Sequence, residues 1–371
     1  MPEQVHGRRP YASVPTGGAG NRVGGRPGLA RRYGAGVTVG ERIADVFGRA
    51  GVAASLHVVD VDDDPERALV DADPGRAGDA DPGRVGGAEP KRVGGDVGPG
   101  RVGGPAREVA VRADEQVVIA SVFKILLVLE FARQASVGQL DPTERVLVRA
   151  ADRLGGWGVA GCADDAEVSL RDLAYFAMSV SDNTAADLLL RRVGRDVLPM
   201  LAAELGLPRT RIVGGPRELV ETMLADVGAR TEAEFARIFP TLSDERVRAM
   251  RVLDPAHTTS STAREMTRLL GLIWRDEAGP APACATVREL MDRQLFWTRL
   301  ASGFPPGVRV RAKTGTLPGL HLEAGVAEYP DGRRYAMAVF ARTERLATRR
   351  IDVDLAMGEA ARIAVEALRD G

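Results

Sequence analysis

The chain has 371 residues, 44% of them apolar and 27% charged, with a net charge of −1 at pH 7. That is enough apolar content for one or two domains with a sizeable core, and so small a net charge supplies no field to draw nucleic acid or an anionic membrane. Two cysteines, Cys162 and Cys284, are too few for a disulfide framework, and the longest apolar runs are far too short to span a bilayer.

Residues 1–38 are rich in Gly, Arg and Pro, without periodicity, and read as a disordered segment. No continuous apolar stretch lies there, so no export signal is read and a cytoplasmic chain is expected. Val39 to Ala50 reads as a helix with Ile43, Val46 and Phe47 on one face. Ala53 to Val61 reads as a strand. Across residues 70–106 an imperfect unit recurs, as in Asp73-Pro74-Gly75-Arg76 and Asp81-Pro82-Gly83-Arg84. It holds almost nothing apolar to stack, so a flexible loop is expected. Glu108 to Arg112 should return as a second strand beside the first. A single folded domain is accordingly placed at residues 39–371.

Val117 to Ala120 lead into Ser121-Val122-Phe123-Lys124 and the apolar run Ile125 to Leu129. From Ser121 onward the pattern is helical, with helices over Leu170 to Met178, Thr184 to Arg192, Val197 to Leu205, Thr262 to Trp274 and Val287 to Leu295. Within this block, residues 225–255 read as a charged helical insertion. The period then changes to strands over Val308 to Ala312, Leu322 to Tyr329 and Arg334 to Arg342, with Pro330-Asp331-Gly332 as a tight turn. Asp352 to Leu368 closes the chain as an amphipathic helix. The order implies an α/β (α+β) fold: an antiparallel sheet flanked by helices, plus an α-helical lobe. Ser121 opens the lobe, which places the active site between lobe and sheet.

Ser121 and Lys124 stand three apart, so a helix brings them to one face. A serine hydroxyl is a weak nucleophile without a base beside it. A lysine amine serves as that base only when burial or a second cation lowers its pKa. The chain has 50 Lys plus Arg but only three Lys, at 91, 124 and 313. Arg keeps its proton in proteins, so the scarce lysines stand out.

Two further stretches join them: Ser181-Asp182-Asn183 and Lys313-Thr314-Gly315. The first also suits the N-cap of the helix that follows. Ser-x-x-Lys, Ser-Asp-Asn and Lys-Thr-Gly in this order resemble the signature of class A β-lactamases and penicillin-binding proteins. Asn183 to Leu190 and Tyr329-Pro330-Asp331-Gly332 extend the similarity, which spans roughly residues 41–370. The resemblance implies the β-lactamase/transpeptidase-like fold and a serine hydrolase without metal or cofactor. Ser121 would form an acyl-enzyme, Lys124 would accept its proton, and Ser181 would relay a proton to the leaving nitrogen. Lys313 would depress the pKa of Lys124. Asn183 would hold the substrate's side-chain amide, and the N–H groups of Ser121 and Thr316 would bind the oxyanion. Lys313, Thr314 and Thr316 would receive a substrate carboxylate, with Gly315 letting the substrate lie close. Trp157 falls on a segment that forms one rim of the cleft.

Two departures accompany the match. The family's deacylating Glu sits in an Arg-x-Glu-x-x-Leu-Asn pattern, where this chain has Gly214-Gly215-Pro216-Arg217-Glu218-Leu219-Val220. Pro216 takes the Glu position, or Arg217 by straight counting, which leaves Glu218 or Glu221 as substitute bases. After Lys-Thr-Gly, Leu320-His321-Leu322-Glu323 offers no Arg for the carboxylate, so either His321 or Arg311 would serve or the substrate lacks that carboxylate. The expected activity is hydrolysis of a small β-lactam or related amide. The alternatives are an esterase, amidase or peptidase on another substrate, and a β-lactam-binding module that acylates without turnover.

Overall fold

The computed structural model describes residues 36–62, 108–346 and 350–370. The repeat loop at 70–106 and nearly all of the 1–38 segment lie outside the described residues.

Helix α1 (Val39–Ala50) starts at a Thr38–Glu41 capping box and ends at Gly51 in the left-handed region. Strands β1 (Val52–Asp60), β2 (Glu108–Val111) and β3 (Val117–Val118) follow. Next come α2 (Lys124–Ser136), β4 (Arg145–Val148), β5 (Ala166–Ser169), α3 (Leu170–Ser179), α4 (Asn183–Val193) and α5 (Val197–Glu204). After α6 (Pro216–Val227), the inserted region contributes α7 (Glu232–Ile238) and α8 (Asp244–Arg248). The chain finishes with β6 (Ser260–Ser261), α9 (Ala263–Trp274), α10 (Ala281–Asp292), β7 (Arg309–Leu317), β8 (Leu320–Glu328), β9 (Arg334–Thr343) and α11 (Ile351–Asp370).

The main sheet is antiparallel throughout, in the order β2-β1-β9-β8-β7. Strand β9 shows why both faces are covered. Tyr335, Met337, Val339 and Ala341 point to α1 and α11, while Ala336, Ala338 and Phe340 point to the helical lobe. Helix α2 is apolar nearly all round and runs through the lobe's core, with Ile125 to Leu129 fully buried.

Several boundaries differ from the sequence reading. Strand β7 continues to Leu317, five residues past its expected end, so Lys313-Thr314-Gly315 lies inside an edge strand instead of at its end. Helix α10 stops at Asp292, and the next residues form a loop that bonds to β7. The small pairs β3–β6 and β4–β5 carry too few residues to show a period of two.

Candidate active site

Ser121 lies in a 3₁₀ turn, Ala120–Phe123, that feeds straight into α2. Ala120 holds a φ of 43°, a conformation that costs a non-glycine residue free energy. The bend presents Ser121 half-buried at the mouth of a cleft of about 80 Å³. Asn183, Thr316, Pro216 and Leu219 share that cleft with it.

Lys124, the first residue of α2, is fully buried. Its amine donates to Ser181 O at 2.7 Å, to Asn183 Oδ1 at 2.9 Å and to Asp182 O at 3.3 Å, and lies 3.4 Å from Ser181 Oγ. Among the described residues no hydrogen bond joins it to Ser121. The expected Lys124–Ser121 contact is therefore replaced by contacts to the Ser181–Asn183 loop, whose oxygens match the three donors of the ammonium. Burial holds the Lys124 pKa down at about 7, against the pull of Asp182. Burial is thus the leading cause, one of the two that the sequence reading named, and Lys313 is not among the causes that act on Lys124. Lys313 is also fully buried and donates to Thr314 O at 2.9 Å. Its pKa is pushed down first by burial and then by the charge of Lys124.

The loop that meets Lys124 is built by Asp182. Its Oδ1 caps α4 by accepting from Ala185 N at 3.0 Å, and its Oδ2 accepts from Val159 N at 2.7 Å. The capping role is real and coexists with the site. It leaves Ser181 at a φ of 59°, with Asn183 as the first residue of α4. The Val159 contact pins the Gly155–Gly161 segment to the same loop, and Trp157 on it is 67% exposed.

Across the cleft, Thr314 N donates to Gln294 Oε1 at 2.6 Å, on the open edge of β7. Residues two apart on a strand turn their N–H groups to the same side, so Thr316 presents its N–H to that edge as well. Gly315 stands tight against the turn that carries Ser121. A Cβ there would sit 2.8 Å from Ile119 O and 3.2 Å from Val122 Cγ2. The missing side chain therefore admits the Ser121 turn against the strand.

Neither Glu218 nor Glu221 lines the cleft. Glu218 caps its own helix by accepting from Gly215 N at 2.8 Å and pairs with Arg195. Glu221 is exposed. Arg217 turns toward Asp187 and the carbonyl of Asp152. What faces Ser121 is the buried ring of Pro216, Gly214, Gly215 and Leu219. Gly215 is needed for this approach, since a Cβ would meet Leu190 Cδ2 at 2.5 Å.

The basic residues put forward for a substrate carboxylate also go elsewhere. His321 bonds Asp354 at 2.8 Å, and Arg311 pairs with Asp292 and Glu328. The sequence reading also missed Arg299, which is buried. Its guanidinium is buried beside β7 and donates to Gly315 O and Leu322 O at 2.8 Å and to Thr316 Oγ1 at 2.9 Å. Asp354 anchors its Nε at 2.9 Å. In a chain with 47 arginines no local signal marks this one. Gln294 was missed too; it links Thr314 N to the fully buried Glu323, whose pKa burial pushes up.

The geometry and the comparisons with known proteins agree on lineage. Residues 103–368 match the β-lactamase enzyme family. The chain is 30% identical over 280 residues to the β-lactamase regulatory protein BlaB of Streptomyces cacaoi, covering 71% of this chain and 89% of that one. It is 29% identical over 279 residues to a β-lactamase of Streptomyces fradiae, covering 72% and 79%. The class A β-lactamase of Mycobacterium abscessus superposes with a TM-score of 0.62 at 17% identity, over 90% of this chain and 100% of that one. The chain belongs to the β-lactamase enzyme family.

Proposed function

We propose that Ser121 is acylated by a β-lactam or a closely related amide, and that the acyl group is then held for a long time. The observation that carries the reading is the cleft lining. Pro216 and Leu219 line the cleft with Ser121, while the Glu218 carboxylate is spent on Gly215 N and Arg195. The regulatory name of the Streptomyces cacaoi relative accords with retention in place of turnover.

Acylation requires the Lys124 amine to turn from the Ser181–Asn183 loop to the Ser121 hydroxyl. With a pKa of about 7, Lys124 is half neutral at that pH and can take the Ser121 proton. The Ser121 oxygen bonds to the carbonyl carbon, and the C–N bond of the ring breaks. The leaving nitrogen receives a proton through Ser181, whose Oγ lies 3.4 Å from the Lys124 amine. The N–H groups of Ser121 and Thr316 would bind the developing oxyanion, each worth ~3 kcal/mol. Hydrolysis then needs a base for water at the acyl carbon, and no carboxylate of the Gly214–Glu221 stretch reaches the cleft.

A chromogenic cephalosporin, followed by colour and by intact mass, tests this. The expected result is one burst of colour per chain and a lasting adduct on Ser121. Sustained colour with no adduct would make the protein a hydrolase with fast deacylation. Neither colour nor adduct, with hydrolysis of a simple ester lost in Ser121→Ala, would move the substrate outside β-lactams.

A further inference from the structure

The inserted region between α6 and β6 has a small apolar core of its own. Val247, Met250, Val252 and Leu253 are buried in it, and the Phe235 and Phe239 rings stack at 5.0 Å. Two groups from outside the insert complete the cluster. Leu219, Met223 and Val227 come from α6, and Leu317 and Leu320 come from the β7–β8 hairpin. Polar ties hold the arrangement at both ends. Arg251 meets Asp226 of α6 through its N–H at 2.7 Å and its Nε at 2.6 Å. Arg248 donates to the Glu344 carbonyl just past β9.

Leu219 and Leu317 also line the Ser121 cleft, beside Val213 and Phe123. Each is therefore pressed between the insert on one side and the cleft on the other. Leu219 stands in the first turn of α6, and Leu317 directly follows Thr316. The cleft they close has about 80 Å³, small against the ~300–1,000 Å³ usual for ligand sites.

We propose that the insert is a specificity element. By clamping Leu219 to Leu317 it builds an apolar end wall that admits acyl groups with a short apolar side chain and excludes bulky ones. The proposal rests on the acyl-serine reading above and adds the side chain that the site accepts. Two penicillins with the same nucleus test it, one carrying an acetyl and one a diphenylacetyl side chain, with acylation rates read by intact mass on the full chain. The wild type should react roughly tenfold or more faster with the acetyl compound, the scale on which pockets discriminate bulk. Leu219→Ala should bring the ratio close to one. Phe235→Ala, which alters only the insert, should lower the ratio roughly threefold while acetyl acylation stays within about twofold of wild type. If both variants kept the wild-type ratio while still reacting with the acetyl compound, the end wall would be refuted and acylation would stand. A wild type that prefers the bulky compound would refute it as well. A wild type labelled by neither compound would overturn the acyl-serine reading, and this proposal with it. A melting curve on each variant separates a lost wall from a lost fold, and Leu219→Ala decides the matter if Phe235→Ala does not fold.

Discussion

The protonation state of Lys124 should be visible in the pH dependence of acylation. The amine is fully buried and its pKa is about 7, against 10.5 for an ordinary lysine. Only the neutral amine accepts the Ser121 proton, so the rate follows the neutral fraction. For a pKa of about 7, that fraction rises from about 9% at pH 6 to about 91% at pH 8, about a tenfold gain, and then levels off. A lysine at 10.5 would be only about 0.3% neutral at pH 8, so burial is worth about 300-fold at that pH. The assay is labelling of Ser121 by a fluorescent penicillin at half-unit steps from about pH 5.5 to about 9.5. The expected curve bends near pH 7. A rate that climbs tenfold per unit through pH 9, or one that is flat from pH 6 to 8, would refute the assignment of Lys124 as base. The same shift enters stability with a definite sign. Between pH 7 and 10.5 the unfolded chain holds a proton on this amine that the folded chain does not. Stability should therefore rise with pH across that window, by up to ~1.4 kcal/mol per unit from this group.

Further outcomes can be measured directly. Pro216→Glu places a carboxylate on the cleft wall at the first residue of α6, and should shorten the acyl-enzyme lifetime about 10²-fold, read by loss of the mass adduct. Gly315→Ala puts a Cβ 2.8 Å from Ile119 O; it should cost ~1–3 kcal/mol in a denaturant melt and slow acylation, because the strand and the nucleophile's turn must separate. Arg299→Ala strips Asp354 of a buried partner and three β7–β8 oxygens of their donor; a loss of ~3–5 kcal/mol is expected in the same melt. Ser121→Ala should abolish the adduct with no change in circular dichroism.

How much could be read from the chain depended on how local each signal was. The order of helix, strands, lobe, strands and helix was legible because α1, α9 and α11 carry strong apolar stripes and β8 and β9 are long. Ser121, Lys124, Ser181 and Lys313 stood out in the sequence because their three short motifs draw on two residue types that this chain uses sparingly, Lys and Asn. The reach of β7 was not legible: Lys313 to Thr316 is polar and glycine-containing, and pairing with β8 keeps it extended. Arg299 and Gln294 escaped because their roles come from a loop folding back on β7, which has no sequence period. The capping of Gly215 by Glu218 explains why counting carboxylates along the loop misled, since a helix start competes for the same side chain.

The contact of Gly315 with Ile119 and Val122 also has a temporal meaning. The two strand-and-turn pieces are brought together across 194 positions, from residue 121 to residue 315. A chain emerging from the ribosome makes the lobe first, with its serine and its buried amine, and has no edge strand to complete the cleft. On the acyl-serine reading proposed above, reactivity toward an acylating compound would then arrive late in synthesis, when the β7–β8 hairpin closes on the turn. A growing chain that met such a compound early would stay unmarked, and a label would report a molecule whose hairpin had closed.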